Sequence, residues 1–184
     1  MSIPTDRCGY TIETGDIRDG GSGIGGSCCW RPVLDERNRC IWHADVEQKD
    51  STQLLDEIDE TTNHLGGVVA SNVSFPDELT IIKSSFVNAN LRATELRNAT
   101  LRNNFFAEAD LSESDLSGTD LRRADLHESD LSNANLISAN LTEADVSDVL
   151  APGINLSEAD LREADFSGGD LRKVTLSNAD LAAA

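Results

Sequence analysis

Along residues 109–131, ADLSESDLSGTDLRRADLHESDL, a leucine returns at every fifth position: Leu111, Leu116, Leu121, Leu126 and Leu131. On an α-helix a step of five rotates the side chain by roughly 140°, which scatters these leucines around the cylinder. On a flat strand an odd step sends successive leucines to opposite faces. The pattern therefore predicts a chain that runs extended for a few residues and then turns. The count holds from Ile81 to Leu181, where 20 of 21 positions are Leu, Ile, Val or Phe and the exception is Ala151.

Two further positions carry the geometry. Two residues before each apolar centre, 16 of 21 side chains are Ala, Ser, Thr or Gly, and one residue before, 14 of 21 are Asp or Asn. The consensus is A-(D/N)-L-x-x. The centre and the small residue two before it share one side, as in a strand. Four turns of about 90° close a square coil of 20 residues, and coils stack at roughly 4.8 Å. The small residue is required because two bulky side chains per edge would overfill the tube. Asp or Asn can bond local backbone groups at the turns. A five-residue repeat of this length reads as a solenoid. Phe86, Phe106 and Phe166 differ by multiples of 20, which puts three aromatic rings on one wall.

Departures from the pattern are local. In VSDVLAPGINL, residues 146–156, the centre is Ala151, Val149 and Ile154 take the small positions, and Leu150 and Pro152 follow outward. Pro removes a ladder donor and belongs at a corner or a bulge. The segment reads either as an exchange of large and small inside one coil or as a bulge that exposes Leu150. Residues 65–80 read as an irregular first coil, with Val68, Val69, Val73 and Phe75 apolar but out of register and Pro76-Asp77 at a turn. Residues 49–64, KDSTQLLDEIDETTNH, read as a short acidic helix capped by Ser51, with Leu54, Leu55 and Ile58 on one stripe. Such a connector would cover the open end of the first coil. The expected domains are residues 1–48, a connector and cap over 49–65, and a coil over 66–184.

The repeat resembles the pentapeptide-repeat family over about residues 81–184. The resemblance implies a right-handed quadrilateral β-helix, and so an all-β solenoid. It implies little chemistry. Some members mimic the shape and charge of DNA and bind type II topoisomerases, dimerising through a C-terminal aromatic or helical element. Here the sequence closes on Leu181-Ala182-Ala183-Ala184, without an aromatic residue.

Charge narrows the function classes. The chain carries 33 acids against 15 bases, a formal net charge of −18, and only three of the bases are lysines, Lys49, Lys83 and Lys173. Such a surface repels nucleic-acid phosphates, so direct nucleic-acid binding is not expected. The acids are spread along the chain, which reads as adaptation of the whole surface to a salty cytosol, as in a halophile. On the coil, Arg102, Arg122 and Arg162 share a face interrupted by Thr142, and Glu108, Glu128 and Asp148 line a neighbouring stripe. These are solvated ladders with weak ion pairs or a partner-binding stripe. His127 is expected in solvent. No apolar run has the length of a membrane span, and the N-terminus lacks a basic region followed by an apolar core, so a cytoplasmic protein is expected.

Residues 1–48 hold all four cysteines. Arg39-Cys40-Ile41-Trp42-His43 is a C-x-x-H pair that can grip one metal from a single turn, and tetrahedral zinc needs four ligands. Cys8 and one of Cys28 or Cys29 complete the set. The order C…C-x-R-P…C-x-x-H is similar to short cysteine/histidine knuckles that precede some pentapeptide-repeat stretches. That resemblance favours Cys29, in Cys29-Trp30-Arg31-Pro32, with Cys28 as the alternative. A closed set of Cys8, Cys29, Cys40 and His43 would hold structural Zn2+ and fold the segment without catalysing. Reduced cysteines, a disulfide, or a redox role for the Cys28-Cys29 pair are the other readings.

No nucleophile–base arrangement or carboxylate pair stands out, and GGSGIGG at 20–26 lacks the Lys-Ser/Thr of a phosphate loop. The expectation is a non-enzymatic scaffold or protein-interaction module. The alternatives are a DNA mimic acting on a topoisomerase or nucleoid protein, and a zinc- or redox-responsive adaptor.

Overall fold

The computed structural model describes Ser51, Leu55 and residues 68–184. Over 68–184 the chain winds into a four-sided parallel β-helix. One residue per side forms a parallel bridge to the next coil: Asn90 to Asp110, Asp110 to Asp130, Glu95 to Asp115, and onward at a constant offset of 20. Five full coils, residues 68–88, 89–108, 109–128, 129–148 and 149–168, precede a partial one. At the usual strand spacing the full coils form a rod about 25 Å long.

The expected inner wall is present. Leu111, Leu116, Leu121 and Leu126 occupy four consecutive sides and are all at least 99% buried, and the small residues between them, Ser114, Thr119 and Ala124, are sealed beside them. Phe86 and Phe106 stack with ring centroids 4.9 Å apart and planes within 10°, which matches the rise from coil to coil. We number the sides by their centres: face 1 runs through Leu101 and Leu121, face 2 through Phe106 and Leu126, face 3 through Leu111 and Leu131, and face 4 through Leu116 and Leu136.

Backbone accounting explains the consensus. Take the pentad Ala109-Asp110-Leu111-Ser112-Glu113. The Ala109 N–H donates to Phe106 O and closes the preceding turn; Asp110 N–H donates back to Ala89 O; Leu111 and Glu113 N–H donate forward to Asp130 O and Ser132 O. One donor remains, that of Ser112, and it goes to the Asp110 carboxylate at 3.0 Å. Every buried or half-buried N–H needs such a partner. All fourteen Asp or Asn residues at this position, from Asn90 to Asp180, accept the N–H two residues ahead. The acid in the repeat is an acceptor for the fifth donor of each side.

The turns have a second requirement. The residue two after each centre has positive φ at all 21 positions from Lys83 to Ala183, of which only Gly118, Gly153 and Gly168 are glycine. Together with the bond from the next N–H back to the centre carbonyl, made at every turn except those after Ile81, Leu101 and Val146, this is the type II pattern.

The VSDVLAPGINL segment keeps its register. Val149, Ala151 and Ile154 are all at least 99% buried, and Leu150 bridges Asp130 and Asp170. Large and small have exchanged places, and no bulge forms. Leu150 nevertheless stands 44% exposed, because its position points outward. It cannot accept a turn N–H, but the donor it would serve belongs to Pro152, which has none. Pro152-Gly153 then fills the two central positions of a type II turn, the arrangement each prefers.

The first coil departs from expectation in an ordered way. Val68 and Val73 take small positions, Ala70 and Phe75 take centres, and all four are buried. They keep the five-residue step among themselves and are displaced by one residue from the ladder below. Val69 and Ser74 accordingly bridge at an offset of 21, whereas Thr80 bridges at 20. The extra residue lies in the turn after Phe75, where positive φ falls at Glu78, three residues on instead of two. Ser51 and Leu55 are helical, and Leu55 packs against the core; the rest of the expected connector and the whole of residues 1–48 lie outside the described residues. Among the described residues no helix is long and apolar enough to cross a membrane.

Candidate functional site

Because side chains repeat every coil, outward residues form columns. On face 1, Arg102, Arg122 and Arg162 stand one above another with Thr142 between them, beside a column of Lys83, Asn103, Arg123 and Glu143. The two columns line a groove of about 580 Å3. Most of its cations are neutralised locally. Arg122 donates to Asp120 through Nε at 2.8 Å and Nη2 at 2.6 Å. Arg162 repeats the same fork on Asp160, and Arg172 on Asp170 of face 3. Arg123 donates to Glu143 at 2.8 Å and 3.1 Å. The fork has a simple sequence rule. The bridge-position Asp and the Arg two residues on share a turn, so D-L-R clamps itself.

These forks alter the carboxylates. Hydrogen bonds from the Arg162 guanidinium hold Asp160 down at about 2, against desolvation, with the backbone N–H of the same residue helping. Asp120 is lowered by Arg122 and Asp170 by Arg172 in the same way. Asp165, with no arginine, is lowered by the N–H and hydroxyl of Ser167.

Face 2 is different. Asp125, Asp145 and Asp165 form one column, and Glu108, Glu128 and Asp148 form the adjoining corner. His127 stands within this stripe, and here the structure corrects the expectation of a solvated side chain. Its ring is 18% exposed, with Nδ1 3.0 Å from Ser147 Oγ and Nε2 3.1 Å from Glu128 Oε1. The Ser147 hydroxyl donates to Asp145, as Ser112 does to Asp110 and Ser157 to Asn155. The contact is therefore turn geometry, not the activation of a nucleophile.

The sequence-predicted metal ligands Cys8, Cys28, Cys29, Cys40 and His43 lie outside the described residues. Among the described residues no group of three His, Cys, Asp or Glu side chains is placed to hold a metal. One polar residue that sequence reasoning passed over is Asn104, fully buried at a small position. Its amide nitrogen donates to Ile81 O at 2.8 Å, and its oxygen accepts Ser84 N–H at 2.8 Å. It spans the turn that Ile81 and Ser84 would otherwise close directly. An Asn among 16 small residues of 21 was the available signal.

A four-sided parallel β-helix built on A-(D/N)-L-x-x defines a class of solenoid. The chain belongs to the Pentapeptide repeats family, eight copies of which match residues 84–123, 106–142 and 139–178, more than half of its length. Proteins of this family form right-handed quadrilateral β-helices. Among solved structures the chain is similar to a pentapeptide repeat protein (Rfr23) from the cyanobacterium Cyanothece 51142, at 30% identity over 53% of this chain and 63% of that one, with a TM-score of 0.39. A pentapeptide repeat protein from the thylakoid lumen of Arabidopsis thaliana matches at 30% identity over 56% and 61%, with a TM-score of 0.30. QnrB1, a plasmid-mediated fluoroquinolone resistance protein, matches at 16% identity over 62% and 70%, with a TM-score of 0.46. The chain thus spans less than two thirds of the length of the first two. No curated protein matches it significantly.

Proposed function

We propose that the protein is a non-catalytic interaction module, a stiff rod whose flat faces present side chains at fixed spacing to a protein partner. One observation carries this. Ten of the fourteen turn-capping residues are Asp and four are Asn, and both types accept the same N–H. The turn does not require a charge, and only Asp115, Asp120, Asp160 and Asp170 pair closely with an arginine, so the remaining excess of Asp reflects what surrounds the rod: concentrated salt, as in a halophile's cytosol, or a basic partner. Residues 1–48 add a structural Zn2+ knuckle on Cys8, Cys29 (or Cys28), Cys40 and His43, and metal analysis should find about one zinc per chain, lost in Cys40→Ser. The reading is tested by capture on the immobilised chain at high salt, followed by reconstitution with each captured protein in purified form. A complex of defined stoichiometry is expected; if none can be reconstituted, the proposal fails.

The continuous acidic stripe of face 2 favours one second reading, a DNA mimic directed at a type II topoisomerase. Inhibition or protection of gyrase supercoiling at micromolar concentrations of the protein would support it. Supercoiling unchanged well above that range would remove it.

A further inference from the structure

Seven arginines lie among the described residues, and six are matched with a carboxylate: Arg122, Arg162 and Arg172 by their own D-L-R forks, and Arg92, Arg97 and Arg123 by Glu113, Asp115 and Glu143. Arg102 is the exception: Thr100 stands where the clamping Asp belongs, as Asn90 does before Arg92, but Arg123 occupies the position from which Glu113 reaches Arg92. Among the described residues Lys83 and Lys173 also lack a carboxylate within ion-pair range. Arg102 and Lys83 line the same groove, together with Arg122 and Arg123. Across its first three coils, face 1 carries these four cations and the single carboxylate Asp120, on a rod that has 20 carboxylates against 9 cations over residues 68–184.

We infer that the corner made by Lys83, Arg102, Arg122 and Arg123 is the docking point for a short acidic segment of a protein partner. The inference rests on the interaction-module reading and names its surface. Charge complementarity selects the occupant. A carboxylate arriving at Arg102 finds an uncommitted planar fork and forms the bidentate pair that Asp120 gives Arg122. The cationic corner spans three coils, about 10 Å, which suits two or three carboxylates. A nucleic-acid strand carries its charge onward and would meet Glu143, Asp160 and Glu163 farther along the same face. Ile82, 39% exposed and lining the same groove, offers an apolar contact that a peptide side chain can cover and a phosphodiester cannot.

The experiment is a fluorescence-anisotropy titration of a labelled Asp-Glu-Glu-Asp-Leu peptide with the full chain at low salt. Saturable binding is expected, weakened about tenfold or more by Arg102→Glu and by Lys83→Glu, since charge reversal replaces attraction by repulsion in a shared groove. Lys173→Glu makes the same change in net charge on face 3 and is expected to alter affinity less than about twofold. Arg102→Gln, checked for fold by circular dichroism, removes the charge without reversing it and is expected to weaken binding by a smaller factor. No saturable binding, an equal loss in Lys173→Glu, or tighter binding of an eight-nucleotide oligothymidylate overturns the inference. The probe is synthetic, so its failure would discard this surface and leave the reconstitution test of the interaction module to stand or fall separately.

Discussion

Residues 89–168 and residues 68–88 build the same square by different means. In the four regular coils each side has five residues, the turns other than those at 101–104 and 146–149 close on themselves, and the wall alternates a bulky with a small side chain. The first coil has 21 residues, an enlarged turn after Phe75, and an open turn at 81–84 held together from the coil below by Asn104. An added residue is absorbed at a corner, where the chain faces water. The open turn at 81–84 is bridged instead by a side chain, its carbonyl and N–H both bonded to Asn104. The regular coils depend on packing, whereas the first depends on one buried amide.

The largest effect should come from breaking the regular wall. Leu121→Ala removes a side chain that is 1% exposed from the middle of the rod, where neighbours above and below are fixed by the ladder. The lost burial and the residual cavity should cost about 3–5 kcal/mol, read as a fall in the denaturation midpoint with an unchanged slope. A loss below about 1 kcal/mol would mean that the coils can collapse onto a void, and the tube would not be rigid.

Next is the amide itself. Asn104→Ala leaves Ile81 O and Ser84 N–H without their partner in a sealed site, which should cost about 2 kcal/mol unless the turn closes. Ala144→Asn places the same amide on the same face two coils later, where the turn it would reach is already closed by Ala124 N–H on Leu121 O. That variant should also be destabilised, by overpacking and by a buried amide with nothing to bond. If Asn104→Ala were neutral while Ala144→Asn was costly, the first coil would need no plug.

The period, the coil length, the alternation of large and small, and the role of the Asp or Asn could all be read from A-(D/N)-L-x-x, because each follows from a requirement that recurs some twenty times. What escaped was singular. One inserted residue near Pro76 hid the regular spacing of Val68, Val73 and Phe75, since counting by fives cannot see a step of six. The exchange at Val149, Ala151 and Ile154 was one of two readings of its segment, and the choice between them needed the missing acceptor of Leu150 set beside the missing N–H of Pro152. The left-handed turn position was hidden as well, because Glu, Arg and Lys stand there far more often than Gly and carry no local signal for positive φ. The charge vacancy at Thr100, with Arg123 standing where Arg92 finds Glu113, leaves Arg102 unmatched, and it becomes visible only once the D-L-R fork is known. The Cys and His ligand set lies outside the described residues, so its reading still stands on the sequence.

A smaller effect, of opposite sign, should appear at Ser129. Thr94, Ser114 and Thr119 occupy the same small position and donate their hydroxyls to the carbonyls of Leu91, Leu111 and Leu116. Ser129 is fully buried, and its hydroxyl has no partner. Ser129→Ala should therefore stabilise the rod by about 1 kcal/mol, whereas Ser114→Ala should be neutral or slightly destabilising. Equal responses in thermal melts would show that Ser129 finds a bond after all.

The smallest effect tests the turns that every regular coil shares. Glu108 sits at φ 59, a conformation that costs an L-residue roughly 1–2 kcal/mol and glycine nothing, although glycine gives back about 0.5–1 kcal/mol through the freedom of the unfolded chain. Glu108→Gly should gain about 0.5 kcal/mol relative to Glu108→Ala, a comparison in which the lost charge cancels. Two later coils supply the precedent. Gly118 lies under Asn98 and Gly153 under Asn133, with the Asn oxygen occupying the space a Cβ would need, and position 108 likewise has an Asn, Asn88, 20 residues before it. Gly118→Ala should accordingly lose stability, through both its φ of 68 and a clash with Asn98. If Gly and Ala at position 108 melted together, the turn would relax without cost, and the glycines at 118 and 153 would need another explanation.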